Sequence, residues 1–140
     1  FEKRGLLHCQ IELPGGQPAH CVCVHLSLFG YSRRRQMMAL ADYLDRMADI
    51  TAPLIIAGDF NDWNNRASHH LAQQLGLTEV FSGRNGAPCR SFPAALPMFR
   101  LDRIYVRGFK VHHTEVHHGY PWSAISDHAA LSAHLARHGR

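Results

Sequence analysis

Gly58-Asp59-Phe60-Asn61 sets a carboxylate and a carboxamide two residues apart, just past the apolar run Leu54-Ile55-Ile56-Ala57. Both are hard oxygen donors, of the kind that hold Mg²⁺, Mn²⁺ or Ca²⁺. The same pair suits an Asx-type turn, in which the side chains bond their own backbone, and these residues alone leave both readings open. Ser126-Asp127-His128 places a second carboxylate beside an imidazole, a metal ligand next to a proton-transfer group. Adjacent residues on an extended chain point to opposite sides, so Asp127 and His128 do not pair with each other. His128 therefore needs an orienting partner from elsewhere. Asp102, in Leu101-Asp102-Arg103-Ile104, is the best candidate. A Ser-His-Asp relay fails on the same geometry, and the chain contains no G-x-S-x-G elbow.

Other residues carry weaker signals. His25 closes a buried apolar stretch and, by itself, reads as a rim histidine. It gains interest only if its strand ends where the two Asp motifs end. Arg33-Arg34-Arg35 opens a helix, where positive charge opposes the macrodipole; this points to an anion-binding role for Arg33 and to a solvated face for the other two. Trp63, Tyr120 and Trp122 lie close in sequence to the motifs and suit either a substrate groove or loop packing. The doublets His69-His70, His112-His113 and His117-His118 lack the cysteine or carboxylate spacing of a zinc site. Cys9, Cys21, Cys23 and Cys89 form no C-x-x-C pair and read as reduced thiols used as small apolar residues.

The elements that must position these residues follow from periodicity. Alternation from Arg4 to Leu13 predicts a half-buried strand, closed by Pro14-Gly15-Gly16, and His20–Leu26 predicts a second, more buried one in a hairpin with it. Ser32 offers an N-cap for a helix from about Arg33 to Asp49, with Met37, Leu40, Ala41, Leu44, Met47 and Ala48 as its apolar stripe. Leu54–Ala57 predicts a strand covered on both faces and ended by Gly58. A short helix from Ser68 to Leu75 should stop at Gly76, Ser82–Arg90 reads as a polar loop, and strands are predicted near 101–106, 109–114 and 130–135. The tail from Arg137 onward reads as frayed. One domain of layered α/β type is expected.

The chain has 140 residues, 46% hydrophobic and 19% charged, with a net charge of +4. That suits a globular domain and not a disordered one. A basic surface favours polyanions such as nucleic acid, phosphoinositide or anionic lipid, but the excess is small, and two lysines, Lys3 and Lys110, are few for a high-affinity DNA enzyme. No apolar run approaches the roughly 20 residues that span a bilayer. No signal peptide is visible, and the reduced thiols fit a reducing cytosol, so the cytoplasm is the expected location. The start at Phe1, without Met, points to a processed or incomplete chain.

Taken in order, the His25-Leu26 strand end, Arg33-x-x-Gln36, Gly58-Asp59-Phe60-Asn61, Leu101-Asp102-Arg103-Ile104 and Ser126-Asp127-His128 resemble the endonuclease/exonuclease/phosphatase superfamily. The resemblance runs from about Phe1 to Leu135, and the FEKRGLL opening and the FPAALPMFRLDRIYVR stretch are most similar to small bacterial members. It implies an α/β (α+β) fold: half of a four-layer α/β/β/α sandwich of the deoxyribonuclease-like type. Residues 1–140 would be the C-terminal half of the domain, with the N-terminal half absent. The implied activity is divalent-metal-dependent hydrolysis of a phosphodiester, or of a phosphomonoester, in nucleic acid or in a lipid or small-molecule head group. Mg²⁺ would be the cofactor, with Mn²⁺ as a substitute.

By the same resemblance Asp59 would position or deprotonate the attacking water, and Asn61 would hold that group and a phosphoryl oxygen. Asp127 would lie at the metal with Asp59 and Asn61. His128, held by Asp102, would hydrogen-bond the phosphate, and His25 matches a second family histidine facing it. Phe92-Pro93 is similar to the family's substrate-side loop, and Arg33 and Trp63 join Phe92 as expected substrate contacts. The family's metal-site glutamate and the asparagine upstream of it have no counterpart here; Glu2 stands instead where the family has an E-x-R strand start. Either a missing N-terminal half or a second copy is therefore expected to cover the sheet. The rival reading is a catalytically incomplete fragment or a non-enzymatic binding module of the same fold.

Overall fold

The computed structural model describes residues 4–49 and 51–139, so the strand start expected at Glu2 lies outside the described residues. Strands β1 (Gly5–Ile11) and β2 (Ala19–His25) form an antiparallel hairpin, and helix α1 (Gly30–Met47) crosses to β3 (Leu54–Asp59), which runs parallel to β2. Then come α2 (Arg66–Leu75), β4 (Thr78–Glu79), the short α3 (Ser82–Asn85), β5 (Asp102–Arg107), β6 (Phe109–His117), a single 3₁₀ turn at Trp122–Ala124, and β7 (Ala130–Arg137). One sheet has the order β1-β2-β3-β5-β4; β6 and β7 form a second, two-stranded sheet. The fold is mixed α/β, as expected.

Periodicity accounts for the layers. Met37, Leu40, Ala41 and Leu44 recur at helical spacing and face Leu71, Ala72 and Leu75 of α2 and Val22, Val24, Leu54, Ile56 and Tyr105 of the sheet. The intervening strand residues point to the opposite face. There Ile55 and Ile104 meet Val111, Val116, Leu131 and Leu135 of the β6–β7 sheet, around Val80, Phe81 and Val106. Towards β1 that second face stays open, with Leu7 70% exposed.

Several expectations change in detail. Strand β1 is exposed almost throughout, because nothing among the described residues covers Leu7, Cys9 and Ile11. Its half-buried residue is His8, hydrogen-bonded to Tyr43 and His20. Helix α1 begins at Gly30 and has no side-chain cap, so Ser32 lies inside its first turn. Gly58 does not end β3 but continues it at φ 139°, where an added Cβ would sit 2.0 Å from the Val24 carbonyl oxygen. A glycine there lets two backbones close up and carries Asp59 into register with its neighbours. Residues 82–85 form α3 where loop was expected; Glu79 Oε2 accepts bonds from the Phe81 and Ser82 amides and from Ser82 Oγ. The tail is tied further than expected: Arg137 belongs to β7 and the His138 N–H donates to the Gly108 carbonyl. No described helix is long and apolar enough to cross a membrane.

Candidate functional site

Strand pairing sets His25, Asp59 and Asp102 side by side. His25 is the register partner of Asp59 across β2/β3, and Asp59 is the partner of Asp102 across β3/β5. Strands lie about 4.8 Å apart, and side chains directly opposite share a face, so three residues from distant parts of the chain form one row at one end of the sheet. A slip of one residue in either pairing would turn part of the row to the helical face.

His128 approaches the row from the loop before β7. Its Nδ1 hydrogen-bonds Asp102 Oδ2 at 2.6 Å, and its Nε2 lies 3.8 Å from Asp59 Oδ2. On the other side of Asp59, His25 Nε2 is 3.6 Å from the same carboxylate oxygen. One oxygen of each carboxylate and one ring nitrogen of His128 all lie within 4.8 Å of one another. Ser91 completes the arrangement: its buried hydroxyl donates to Asp102 Oδ2 at 2.6 Å, and the Asp102 amide donates to Ser91 Oγ at 3.1 Å. Asp102 is thus oriented from two sides before it orients the imidazole.

The Asp59–Asp62 turn is built from both sides of the sheet. The Asn61 amide donates to Asp59 Oδ1 at 2.9 Å, an Asx turn that Asn61 accommodates at φ 46°. Asn61 Nδ2 donates to the Leu26 carbonyl at 2.8 Å, which leaves Oδ1 as the acceptor end of this buried amide. The two readings of GDFN are therefore compatible: the residues make the turn, and Asp59 stands in the row. Behind it Asp62, 1% exposed, accepts bonds from Ser68 N and Oγ and lies 3.6 Å from Arg103 Nη1 and 3.8 Å from Arg33 Nε. Arg103 also donates to Ser68 Oγ and to the Asp62 and Arg100 carbonyls.

The expected substrate contacts divide. Phe92 packs its ring 4.9 Å from that of His128, and Trp63 stands half exposed with its ring 4.9 Å from Phe99. Arg33 is turned inward. Its Nη1 donates to the Ser27 and Leu28 carbonyls while Gln36 Oε1 accepts the Ser27 amide, so the Arg-x-x-Gln pair anchors the loop that follows His25. Asp127 is exposed and lies outside the Asp59–Asp102–His128 group. A cleft of about 600 Å³ between α1 and α2 lies on the helical side and touches Arg33 and Asp62 but not the row.

Electrostatics follow from this crowding. Burial and the neighbouring Asp102 charge push the Asp59 pKa up, against the Asn61 amide and the two histidines. Burial alone would lower His128, but its hydrogen bond to Asp102 and the charges of Asp102, Asp59 and Asp127 outweigh that and raise it. Two close carboxylates with one of them reluctant to ionise, next to an amide oxygen, are a donor set suited to a hard divalent cation.

Ser91, Asp62 and Arg103 are the residues that sequence reasoning missed. Ser91 carried no motif at all, whereas Arg103 stood inside LDRI, where a charged residue alternating into a buried strand was a signal.

Comparison with known proteins gives a consistent placement. Residues 3–128 match the signature of the Endonuclease/Exonuclease/phosphatase family. Protein YbhP of Escherichia coli K12, described as uncharacterized, is 42% identical over 135 residues, covering 96% of this chain and 53% of its own length. A conserved protein of unknown function from Enterococcus faecalis V583 superposes with a TM-score of 0.76 at 25% identity, covering 94% of this chain and 56% of that one. A Bacteroides vulgatus protein described as an endonuclease/exonuclease/phosphatase gives 0.77 at 17% identity, with 96% and 56% covered. The chain spans about half the length of these relatives.

Proposed function

Because the chain belongs to the Endonuclease/Exonuclease/phosphatase family, we propose that it carries the water-orienting and phosphate-binding half of a divalent-metal-dependent phosphoesterase. The observation that carries this reading is the meeting of Asp59, Asp102 and His128, drawn from three separate segments, within 4.8 Å. A phosphodiester resists attack because its own charge repels nucleophiles, so a catalyst must neutralise that charge and align water with the leaving oxygen.

The chain's residues suit that division. Asp102, fixed by Ser91, holds His128 by Nδ1 and leaves Nε2 to donate to a phosphoryl oxygen. His25, from the other side of Asp59, offers a second donor to the same phosphate. Asp59 accepts a proton from, or orients, the attacking water; its raised pKa makes it a better base than an ordinary aspartate. Asp59 and Asn61 Oδ1 are the groups that would hold the cation; Asp127, exposed and outside the Asp59–Asp102–His128 group, is the further ligand that the family resemblance implies. Mg²⁺ or Mn²⁺ bound there would supply charge neutralisation and an activated water. The remaining metal carboxylate would come from the N-terminal half that this reading places over the open face beside Leu7, a segment preceding this chain in the full protein.

The test uses the protein made from the whole gene, assayed on bis(4-nitrophenyl) phosphate. Turnover in Mg²⁺ or Mn²⁺ that vanishes on chelation is expected, with residues 1–140 alone weak or inactive. A silent full-length protein would remove the enzyme reading in favour of a binding module. Robust metal-dependent turnover by the isolated chain would show that no further half is needed.

Metal binding should also be visible without turnover. The raised Asp59 and His128 pKa values mean that the fold holds these protons more tightly than the unfolded chain. Their stabilisation is fully present below the ordinary values of 3.8 and 6.5, and is lost as pH rises through the raised folded values. A cation competes with both protons, so the Mn²⁺-induced rise in unfolding temperature should grow from about pH 5 to about pH 8. Scanning calorimetry with and without Mn²⁺ checks it; a rise independent of pH would place the cation elsewhere.

A further inference from the structure

Ten of the fifteen large apolar side chains that stand exposed among the described residues lie at the catalytic end of the sheet. They occupy the segments after His25, after Asp59, before Asp102 and before His128. One of these is the loop between Ser91 and Asp102. The Phe92 and Phe99 backbones pair across it, the Met98 and Phe99 amides donate to the Phe92 carbonyl, and Ser91 N donates to the Phe99 carbonyl. Its base belongs to the site, through Ser91 on Asp102 and Phe92 against His128. Its tip shows Leu96 71% and Met98 57% exposed, with Phe99 and Trp63 stacked beside them. Whatever receives this tip lies next to the reacting phosphate.

The basic groups around the site divide into arginines turned into the protein and the exposed Arg34, Arg35, Arg66 and Arg90. Arg33, Arg100 and Arg103 all donate to backbone carbonyls, and Arg107 does so at the opposite end of the sheet. A nucleic-acid groove needs a track of free cations for successive phosphates. Here the exposed cations are instead set among the apolar segments: Arg34 and Arg35 follow Phe29 and Tyr31, with Arg35 over the Tyr31 ring, Arg66 follows Trp63, and Arg90 precedes Ser91. Apolar tips interspersed with basic residues match an anionic bilayer, which takes the tips into its acyl boundary and the arginines at its head groups.

We infer that this loop rim docks on an anionic membrane surface and that the substrate class is the phosphodiester head group of a membrane lipid. The inference rests on the phosphoesterase reading and names its substrate.

The test uses full-length protein with vesicles of phosphatidylcholine containing phosphatidylglycerol, scored by co-flotation and by release of water-soluble head group. The Leu96→Asp/Met98→Asp protein should bind vesicles and release head groups at least about tenfold less, since each lost apolar contact alone is worth that factor. Its thermal midpoint should match that of wild type, and its turnover of bis(4-nitrophenyl) phosphate should stay within about twofold. Met38→Asp, on the exposed side of α1, serves as the control and should change neither. Wild-type protein that ignores vesicles, or a double variant that binds them as well as wild type, overturns the inference. So does tight DNA binding that the double variant loses, which would assign the rim to nucleic acid. Vesicle binding lost in the double variant, in a protein that never hydrolyses the soluble diester, supports the rim and faults only the phosphoesterase reading.

Discussion

Asp59→Asn should retain no more than about one part in 10² to 10³ of wild-type phosphodiester turnover, in Mg²⁺ and Mn²⁺ alike, as should Asp59→Ala. The asparagine variant is the sharper of the two because it separates structure from chemistry. Asp59 Oδ1 accepts the Asn61 amide, and an asparagine oxygen accepts it equally well, so the turn and its φ survive. What disappears is the negative charge that would orient water and hold a cation between His25 and His128. If Asp59 served only the turn, Asp59→Asn would be active and Asp59→Ala merely destabilised. Equal loss in both, with the thermal midpoint of Asp59→Asn near wild type, is the expected pattern. Near-wild-type rates for Asp59→Asn would remove Asp59 from the chemistry.

The meeting of Asp59 and Asp102 was legible in the sequence because strand pairing made it, and His128 joins them from the loop before β7. Asp59 and Asp102 each follow or open an apolar strand, and adjacent β3 and β5 can bring such ends together. The need of His128 for a partner followed from the alternation of neighbouring side chains. The environment of β1 was not legible, since alternation tells which residues share a face and not whether anything covers that face. The inward turn of Arg33 was not legible for a related reason: a positive charge in a first helical turn suits a ligand, but it equally suits the Ser27 and Leu28 carbonyls and Asp62, which only the folded chain presents. Ser91 had no local signal, because its value lies wholly in the partner eleven residues away.

Asp62→Ala should cost about 3–5 kcal/mol, the range for breaking a buried ion pair by removing one partner. Asp62 is one carboxylate serving two guanidiniums, and Arg103 is as buried as Asp62 itself, each 1% exposed. Without it the Arg103 charge stays in the interior with only Ser68 Oγ and two carbonyls as acceptors. The Arg33 Nε has no hydrogen-bond partner even now, only the 3.8 Å ion pair, so it loses its sole compensation. The Ser68 amide loses its acceptor as well, at the first turn of α2. An unfolding midpoint lower by about 10–20 °C should follow, read by circular dichroism. Because buried ion pairs are weak contributors when both partners are exchanged, Asp62→Leu/Arg103→Met should be far milder than the sum of its single changes. A double variant as unstable as that sum would mean that the cluster acts through shape and not charge. The same cluster ties the turn after Asp59 to the strand that begins at Asp102. Hence a refolded Asp62→Leu/Arg103→Met protein should show reduced kcat with KM little changed, the signature of a loosened catalytic row on an intact binding rim.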